Sequence, residues 1–210
     1  MTKHRKREEW VEEILDAAAR QIVNDGYSNL TMESIAARAP LSKGGVYRHF
    51  GNKREVALAL FRRVYQHTLD VDLDEAIGWN LPVHETIYRV IVTQREEAQL
   101  VQDHRIWVQL IPEIVRDEGF RRERQVLFEA LVDKFADLVR RIVVRDSLPM
   151  RDDFDRVLRR YVHLAMILRE GMSIQTTIGT PISEQAVLYR KFVEVFTREL
   201  LGHAPSLTQA

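Results

Sequence analysis

The sequence predicts an all-α protein: an N-terminal three-helix domain with a helix-turn-helix, followed by a larger helical domain. Three observations carry this. Apolar residues recur at helical spacing from Val11 to Leu200, and no stretch alternates apolar with polar residues as a half-buried strand would. Glycine and proline gather at a few sites that cut the chain into helix-length pieces. Between Thr31 and Lys53 the pieces are short, in the order helix, tight turn, helix and the start of another.

The bounds are broad but useful. The chain has 210 residues, 45% hydrophobic and 30% charged, which suits a soluble globular protein with a proper core. No apolar run approaches a membrane span, and the charged N-terminus lacks the apolar region of a secretion signal. There is no cysteine, so disulfides, thiolate catalysis and zinc-finger ligation are excluded, and a cytoplasmic location is expected. The net charge of zero hides an asymmetry: residues 1–63 carry 12 Lys/Arg against 8 Asp/Glu, and the remainder is acidic by the same margin. A basic N-terminal third suits a polyanion. The opening Lys3-His4-Arg5-Lys6-Arg7 reads as a solvated tail that can follow phosphates or enter a minor groove.

The first helix starts at Glu8, Glu9, Glu12 and Glu13, acids that suit the positive end of a helix. It buries Val11, Ile14, Leu15, Ala18 and Ile22 and stops at Gly26. The second, Thr31–Ala39, begins at a hydroxyl cap and carries Met32, Ile35, Ala36 and Ala39. Leu41 pins the turn. The next helix runs from the cap Ser42 to about Phe50, with Val46 and Phe50 on one face. The other face presents Lys43, Gly44, Gly45, Tyr47, Arg48 and His49, without an acid.

Each glycine there costs about 1 kcal/mol relative to alanine in a helix. Two in so short a helix leave two readings: a loop with a frayed turn, or a backbone that a second surface approaches closely, which with the basic and aromatic neighbours would be a DNA groove wall. Asn52 caps the next helix with Glu55 at the box position, and Lys53 and Arg54 put positive charge beside unpaired N–H groups, a phosphate site.

That helix runs to about Leu69, with Leu58, Phe61, Val64 and Tyr65 on its inner side. The acidic 70–75 stretch lacks the glycine and spacing of a calcium loop and reads as a solvated helix end. A break at Gly78–Pro82 marks the domain join, giving domains 1–70 and 71–210. Helices are expected over Thr86–Leu100, Asp103–Val115, Gly119–Val144, Phe154–Thr177 and Ser183–Leu201. The last two are apolar around much of their circumference, through Leu158, Tyr161, Leu168, Met172, Val187, Leu188 and Phe192 among others. Such helices need a second burial partner, either a second copy or, for Phe154–Thr177, the middle of a monomer.

Catalytic motifs are incomplete. His84-Glu85-Thr86-Ile87-Tyr88 lacks the second histidine of a zinc protease, and Gly171-Met172-Ser173-Ile174-Gln175 lacks the last glycine of a nucleophile elbow. No phosphate loop or dinucleotide fingerprint occurs, so neither an enzyme, a metal nor a cofactor is expected. A helical adaptor without DNA affinity stands as the alternative to a DNA-binding protein.

Residues 14–61 resemble the DNA-binding domain of TetR-family transcriptional regulators. The matching pieces are Ile14-Leu15-Asp16-Ala17-Ala18, Gly26-Tyr27, Thr31-Met32, Ile35-Ala36, Ser42-Lys43-Gly44, Tyr47-Arg48-His49-Phe50 and Lys53, in the family's order and spacing. The turn departs, reading Ala39-Pro40-Leu41-Ser42 where the family usually has Ala-Gly-Val-Ser, and Gly45 stands where Thr is common. The resemblance implies a repressor that binds a near-palindromic double-stranded DNA operator as a homodimer through its last two helices and is released by a small-molecule effector. The expected DNA contacts are Thr31, Glu33, Ser42, Lys43, Gly44, Gly45, Tyr47, Arg48, His49 and Lys53. Lys43 would donate to guanine, and Glu33 would either accept from cytosine or stand solvated. The expected effector pocket draws on Trp107, Phe128, Tyr161, His163, Met166 and Arg169, with ordinary core packing as the alternative for the aromatic and Met members and a hydrogen-bonded core histidine as the alternative for His163. Arg169, charged within an apolar helix, is expected first to pair with an acid and otherwise to meet an anionic effector.

Overall fold

The computed structural model describes residues 7–93, 96–150 and 152–201. The basic run Lys3-His4-Arg5-Lys6 lies outside them. Among the described residues there is no strand, and no helix is long and apolar enough to cross a membrane.

The N-terminal elements form for reasons visible in their ends. Helix α1, Arg7–Asp25, buries Ile14, Leu15, Ala18 and Ile22 as the periodicity requires, while Val11 near its start is only half-buried. Gly26 ends it at φ 82°, a left-handed conformation that glycine adopts without a Cβ clash. A single tight turn, Tyr27–Asn29, leads to α2, Met32–Arg38. The Thr31 hydroxyl accepts from the Ser34 N–H at 3.0 Å, and the Ser34 hydroxyl accepts from the Thr31 N–H at 3.0 Å, a reciprocal box. Ser34 also donates to Gln21 Oε1 at 2.6 Å, which ties α2 to α1.

Proline at position 40 leaves Ala39 extended (φ −87°, ψ 151°), as a residue before proline must be. The turn then closes without a left-handed residue. Helix α3, Lys43–His49, starts at Ser42, whose hydroxyl accepts from the Gly45 N–H at 3.2 Å. Helix α4, Lys53–Leu69, starts where expected: Asn52 Oδ1 accepts from the Glu55 N–H at 3.0 Å, and the Glu55 carboxylate accepts from the Gly51 N–H at 2.8 Å.

Further along, the acidic stretch is a helix start rather than an end. Asp72 caps the short α5, Leu73–Gly78, accepting from the N–H groups of Asp74 and Glu75 at 2.9 and 3.2 Å. Helix α6 spans Val83–Tyr88 and passes into a wider π-type turn, Arg89–Thr93. One helix, α7, Glu97–Arg116, replaces the expected pieces ending at Leu100 and beginning at Asp103. The reason is that Asp103 is buried inside the helix instead of capping a new one, and Pro112 lies inside without ending it. Helices α8, Glu118–Arg145, α9, Phe154–Thr177, and α10, Ile182–Leu200, match their expected extents closely.

The chain divides into two compact units, each discontinuous: Met1–Gln66 with Gln102–Arg124, and His67–Val101 with Gln125–Ala210. The first unit therefore takes in the end of α7 and the beginning of α8. Phe61 and Phe120, both fully buried, meet edge to face with ring centroids 6.1 Å apart. At the start of α8, Asp117 accepts from the Phe120 N–H at 3.1 Å and from Arg54 through two bonds of 2.6 Å. Arg62 makes a similar two-bond pair with Glu123, at 2.6 and 2.8 Å. A Cβ on Gly119 would lie 2.4 Å from Arg54 Nη2, so a larger residue there would make the guanidinium shift.

In the second unit α10 packs on α9 and on α6. Tyr189 is buried against α9 and donates to the Ala165 carbonyl at 3.4 Å. Burial pushes its hydroxyl above the ordinary tyrosine range. Arg190 pairs with Glu85 and covers the Tyr88 ring at 5.2 Å.

Candidate nucleic-acid interface

Helix α3 is held by its two ends and by one apolar face. Val46 is fully buried, Gly45 is buried, and the Ser42 cap and the Phe50 N–H, which reaches Val46 O at 3.0 Å, close the termini. The opposite face is left exposed: Lys43, Gly44 and Arg48, with Tyr47 at 44%. Arg48 reaches back to the Gly44 carbonyl at 3.4 Å, and Lys43 stands 5.9 Å from the centroid of the Tyr47 ring.

The two glycines separate in role. A Cβ on Gly45 would come to 3.0 Å from Leu41 Cδ2, which would have to shift, so the protein's own turn packing favours a small residue here. Leu41 is the residue that pins the turn, and α3 has to pass close to it. A Cβ on Gly44 would meet nothing within 4 Å. Its cost in the helix has no counterpart in the fold, so only Gly44 keeps the reading of a close approach by another molecule.

The face also has an acid. Glu33, from the first turn of α2, forms an ion pair with Lys43 across the turn. Lys43 holds the Glu33 carboxyl below its ordinary range, and Glu33 raises the Lys43 ammonium in turn. Sequence spacing does not bring positions 33 and 43 together, because the tilt between two helices sets that distance.

The remaining expected contacts fare differently. The hydroxyls of Thr31 and Ser42 are engaged as helix caps. Lys53 reaches the Ser28 carbonyl at 3.4 Å and covers the Tyr27 ring at 4.9 Å. Arg54 does not present a free charge to a phosphate, because Asp117 takes its guanidinium. The Asp117 carboxyl is held well below the usual carboxylate range, by Arg54 first and by the Phe120 N–H second. The Nδ1 of His49 is buried without a hydrogen bond from a protein group.

The expected effector residues are not gathered in one described cleft. Tyr161 stacks on Phe196 at 4.9 Å and is bonded to Glu199. His163 lies 5.0 Å from the Phe128 ring and 3.6 Å from Glu129, half-exposed rather than in the core. Met166 is buried. Trp107 falls in the first unit, the other five in the second. Arg169 donates to the Thr68 hydroxyl at 2.9 Å, where an acid was expected first. A hydroxyl on the neighbouring α4 end comes within reach of the guanidinium, a meeting of residues 68 and 169 that only the fold creates.

Helices α9 and α10 leave a broad apolar surface exposed: Leu164, Ile167, Ile174 and Ile178 on or beside α9, and Val187, Leu188 and Val195 on α10. It includes a groove of ~530 Å³ lined by Ile167, Leu168, Met172, Leu188, Tyr189 and Phe192 among others.

An exposed basic and aromatic helix, set by a tight turn on a three-helix core, defines a helix-turn-helix DNA-binding protein. Residues 14–60 match the family model for bacterial regulatory proteins of the tetR family. The N-terminal domain is therefore the DNA-binding domain of TetR-family transcriptional regulators. It is 27% identical over 79% of its length to the HTH-type transcriptional regulator SrpR of Pseudomonas putida, covering 76% of that protein. It is 33% identical to the regulator BetI of Brucella canis over 43% of this chain and 46% of BetI. A TetR-family regulator from Rhodococcus sp. superposes with a TM-score of 0.73 at 19% identity, covering 90% of this chain and 98% of that one. A regulator from Saccharomonospora viridis, solved in complex with choline, superposes at 0.68 with 19% identity over 90% of this chain and 97% of that one. These structural likenesses speak to the fold. The relatives are regulators, and the chain is a DNA-binding transcriptional regulator rather than an enzyme.

Proposed function

We propose that the protein is a repressor that binds a near-palindromic operator as a homodimer and leaves it when a small molecule binds. The observation that carries the DNA half is the exposed face of α3, where Gly44 stands open beside Lys43, Tyr47 and Arg48. Residues 1–70 carry the DNA contacts, with residues 102–124 packed into the same unit, and residues 71–210 carry dimerisation and effector binding. Lys43, Tyr47, Arg48 and His49 reach the groove and its phosphates, with Thr31, Glu33, Ser42, Gly44, Gly45 and Lys53 around them. A cytoplasmic site of action follows from an operator as target.

The exposed apolar residues of α9 and α10 support the dimer, because surface of this kind is covered in stable oligomers. Two copies of α3 then meet half-sites about one helical turn apart, ~34–36 Å. The effector acts by preferring the conformation in which the two copies no longer match that spacing. Trp107, Phe128, Tyr161, His163, Met166 and Arg169 are its candidate neighbours. A fold shared with a choline-bound regulator supports small-molecule binding without naming the ligand here.

The test is selection of genomic fragments with the purified protein, repeated with candidate metabolites. Tyr47→Ala and Arg48→Ala are expected to weaken binding to every duplex and flatten the salt dependence. Unchanged binding in both removes the contact assignment. An Arg169→Ala protein with a full effector response excludes that residue as an anchor.

A further inference from the structure

We propose that Glu33 and Lys43 act as one unit that reads a single G·C base pair. The inference rests on the reading surface proposed above and adds a specificity-determining pair to it. Lys43 is the first residue of α3, and the N-terminal end of a reading helix is the part that meets base edges. Glu33 lies in the first turn of α2, and its carboxylate is paired with the Lys43 ammonium. The two side chains are 57% and 58% exposed for lysine and glutamate, so the pair faces outward. Tyr47 flanks the ammonium, and the open Gly44 next to it lets a groove come near.

The surface therefore offers a donor and an acceptor side by side in a fixed order. In the major groove a G·C pair presents the two guanine acceptors N7 and O6 beside the cytosine N4–H donor. Lys43 matches the guanine and Glu33 matches the cytosine. At an A·T pair the same arrangement sets the carboxylate against thymine O4 and the ammonium against the adenine amino group. Elsewhere on a duplex Glu33 repels phosphate, and Lys43 has to leave its carboxylate to neutralise one. The pair thus works against non-specific binding as well as for the matched base pair.

The test uses the full chain as wild type, Glu33→Gln and Lys43→Gln. The probes are the duplex that the wild type selects from a random library, every single-base-pair change in one half-site, and sheared mixed-sequence DNA. In the wild type, replacing one G·C pair by A·T is expected to weaken binding at least ~10-fold, within the discrimination of a good base contact. In both variants the penalty at that same position falls below ~3-fold, while penalties at other positions stay. Glu33→Gln also binds mixed-sequence DNA more tightly, with a log–log salt slope steeper by about 0.9, the value for one more phosphate contact. Glu33→Ala repeats the measurement should the Gln variant be poorly folded. The inference is overturned if the two variants relax different positions, or if neither changes the penalty at any position. A Lys43→Gln protein with unaltered affinity for both kinds of DNA overturns the reading surface itself.

Discussion

Phe120 tests how far the DNA-binding unit extends along the chain. It lies at the start of α8, fully buried, edge to face with the equally buried Phe61 of α4. Truncating a buried phenylalanine to alanine costs about 3–5 kcal/mol, aromatic contact included. A whole domain is stable by only about 5–15 kcal/mol. At a typical urea slope of about 2 kcal/mol/M, Phe120→Ala should move the unfolding midpoint of the first unit down by roughly 2 M. Hydrogen exchange should show the loss in α1–α4, more than fifty residues away in sequence, and DNA affinity should fall with it. Phe120→Leu, which keeps most of the volume, should cost much less. A fragment ending at residue 70 should be weakly folded for the same reason. If Phe120→Ala leaves exchange in α1–α4 unchanged, the first unit ends with α4 and the reasoning fails.

The other predictions are local. Gly45→Ala should lower DNA affinity, because its Cβ presses on Leu41 and tilts α3, whereas Gly44→Ala should leave stability equal or up to about 1 kcal/mol higher, so any lost affinity reports the approach of DNA; melting curves and binding isotherms on both separate the two roles. The Asp117 carboxyl, depressed by Arg54, contributes stability that is present above the ordinary carboxylate value of about 3.9 and lost as pH falls towards the lower folded value. Asp117→Asn should therefore show a shallower fall in stability on acidification, and a fall identical to wild type would count against the pair. Leu188→Glu, at 74% exposure on α10, should convert a dimer to monomer by sedimentation and cut operator affinity steeply; a variant that still sediments as a dimer moves the interface elsewhere.

Much of the fold was legible because short-range physics writes it. Thr31, Ser42 and Asn52 are capping residues followed at the right distance by their partners, so the starts of α2, α3 and α4 follow from a few consecutive residues. The buried stripe of α1 follows from its period. The beginning of α7 was misread because Asp103 has the chemistry of a cap, and only burial reveals that it lies within a helix. The candidate site was legible as a list but not as a surface. The separate roles of Gly44 and Gly45 depend on where Leu41 points, and the engagement of Lys53 depends on Tyr27 and Ser28 being underneath it.

By itself, then, the sequence determined the helical class, the helix-turn-helix and the family of its N-terminal domain, since caps, periodicity and an ordered motif are all properties of neighbouring residues. Tertiary structure decided which charges remain available. Arg54 is taken by Asp117, sixty-three positions on, whereas Lys43 is paired with Glu33 of the preceding helix and still faces outward. Charge pairing depends on distance through space, and the packing of one helix against another sets that distance.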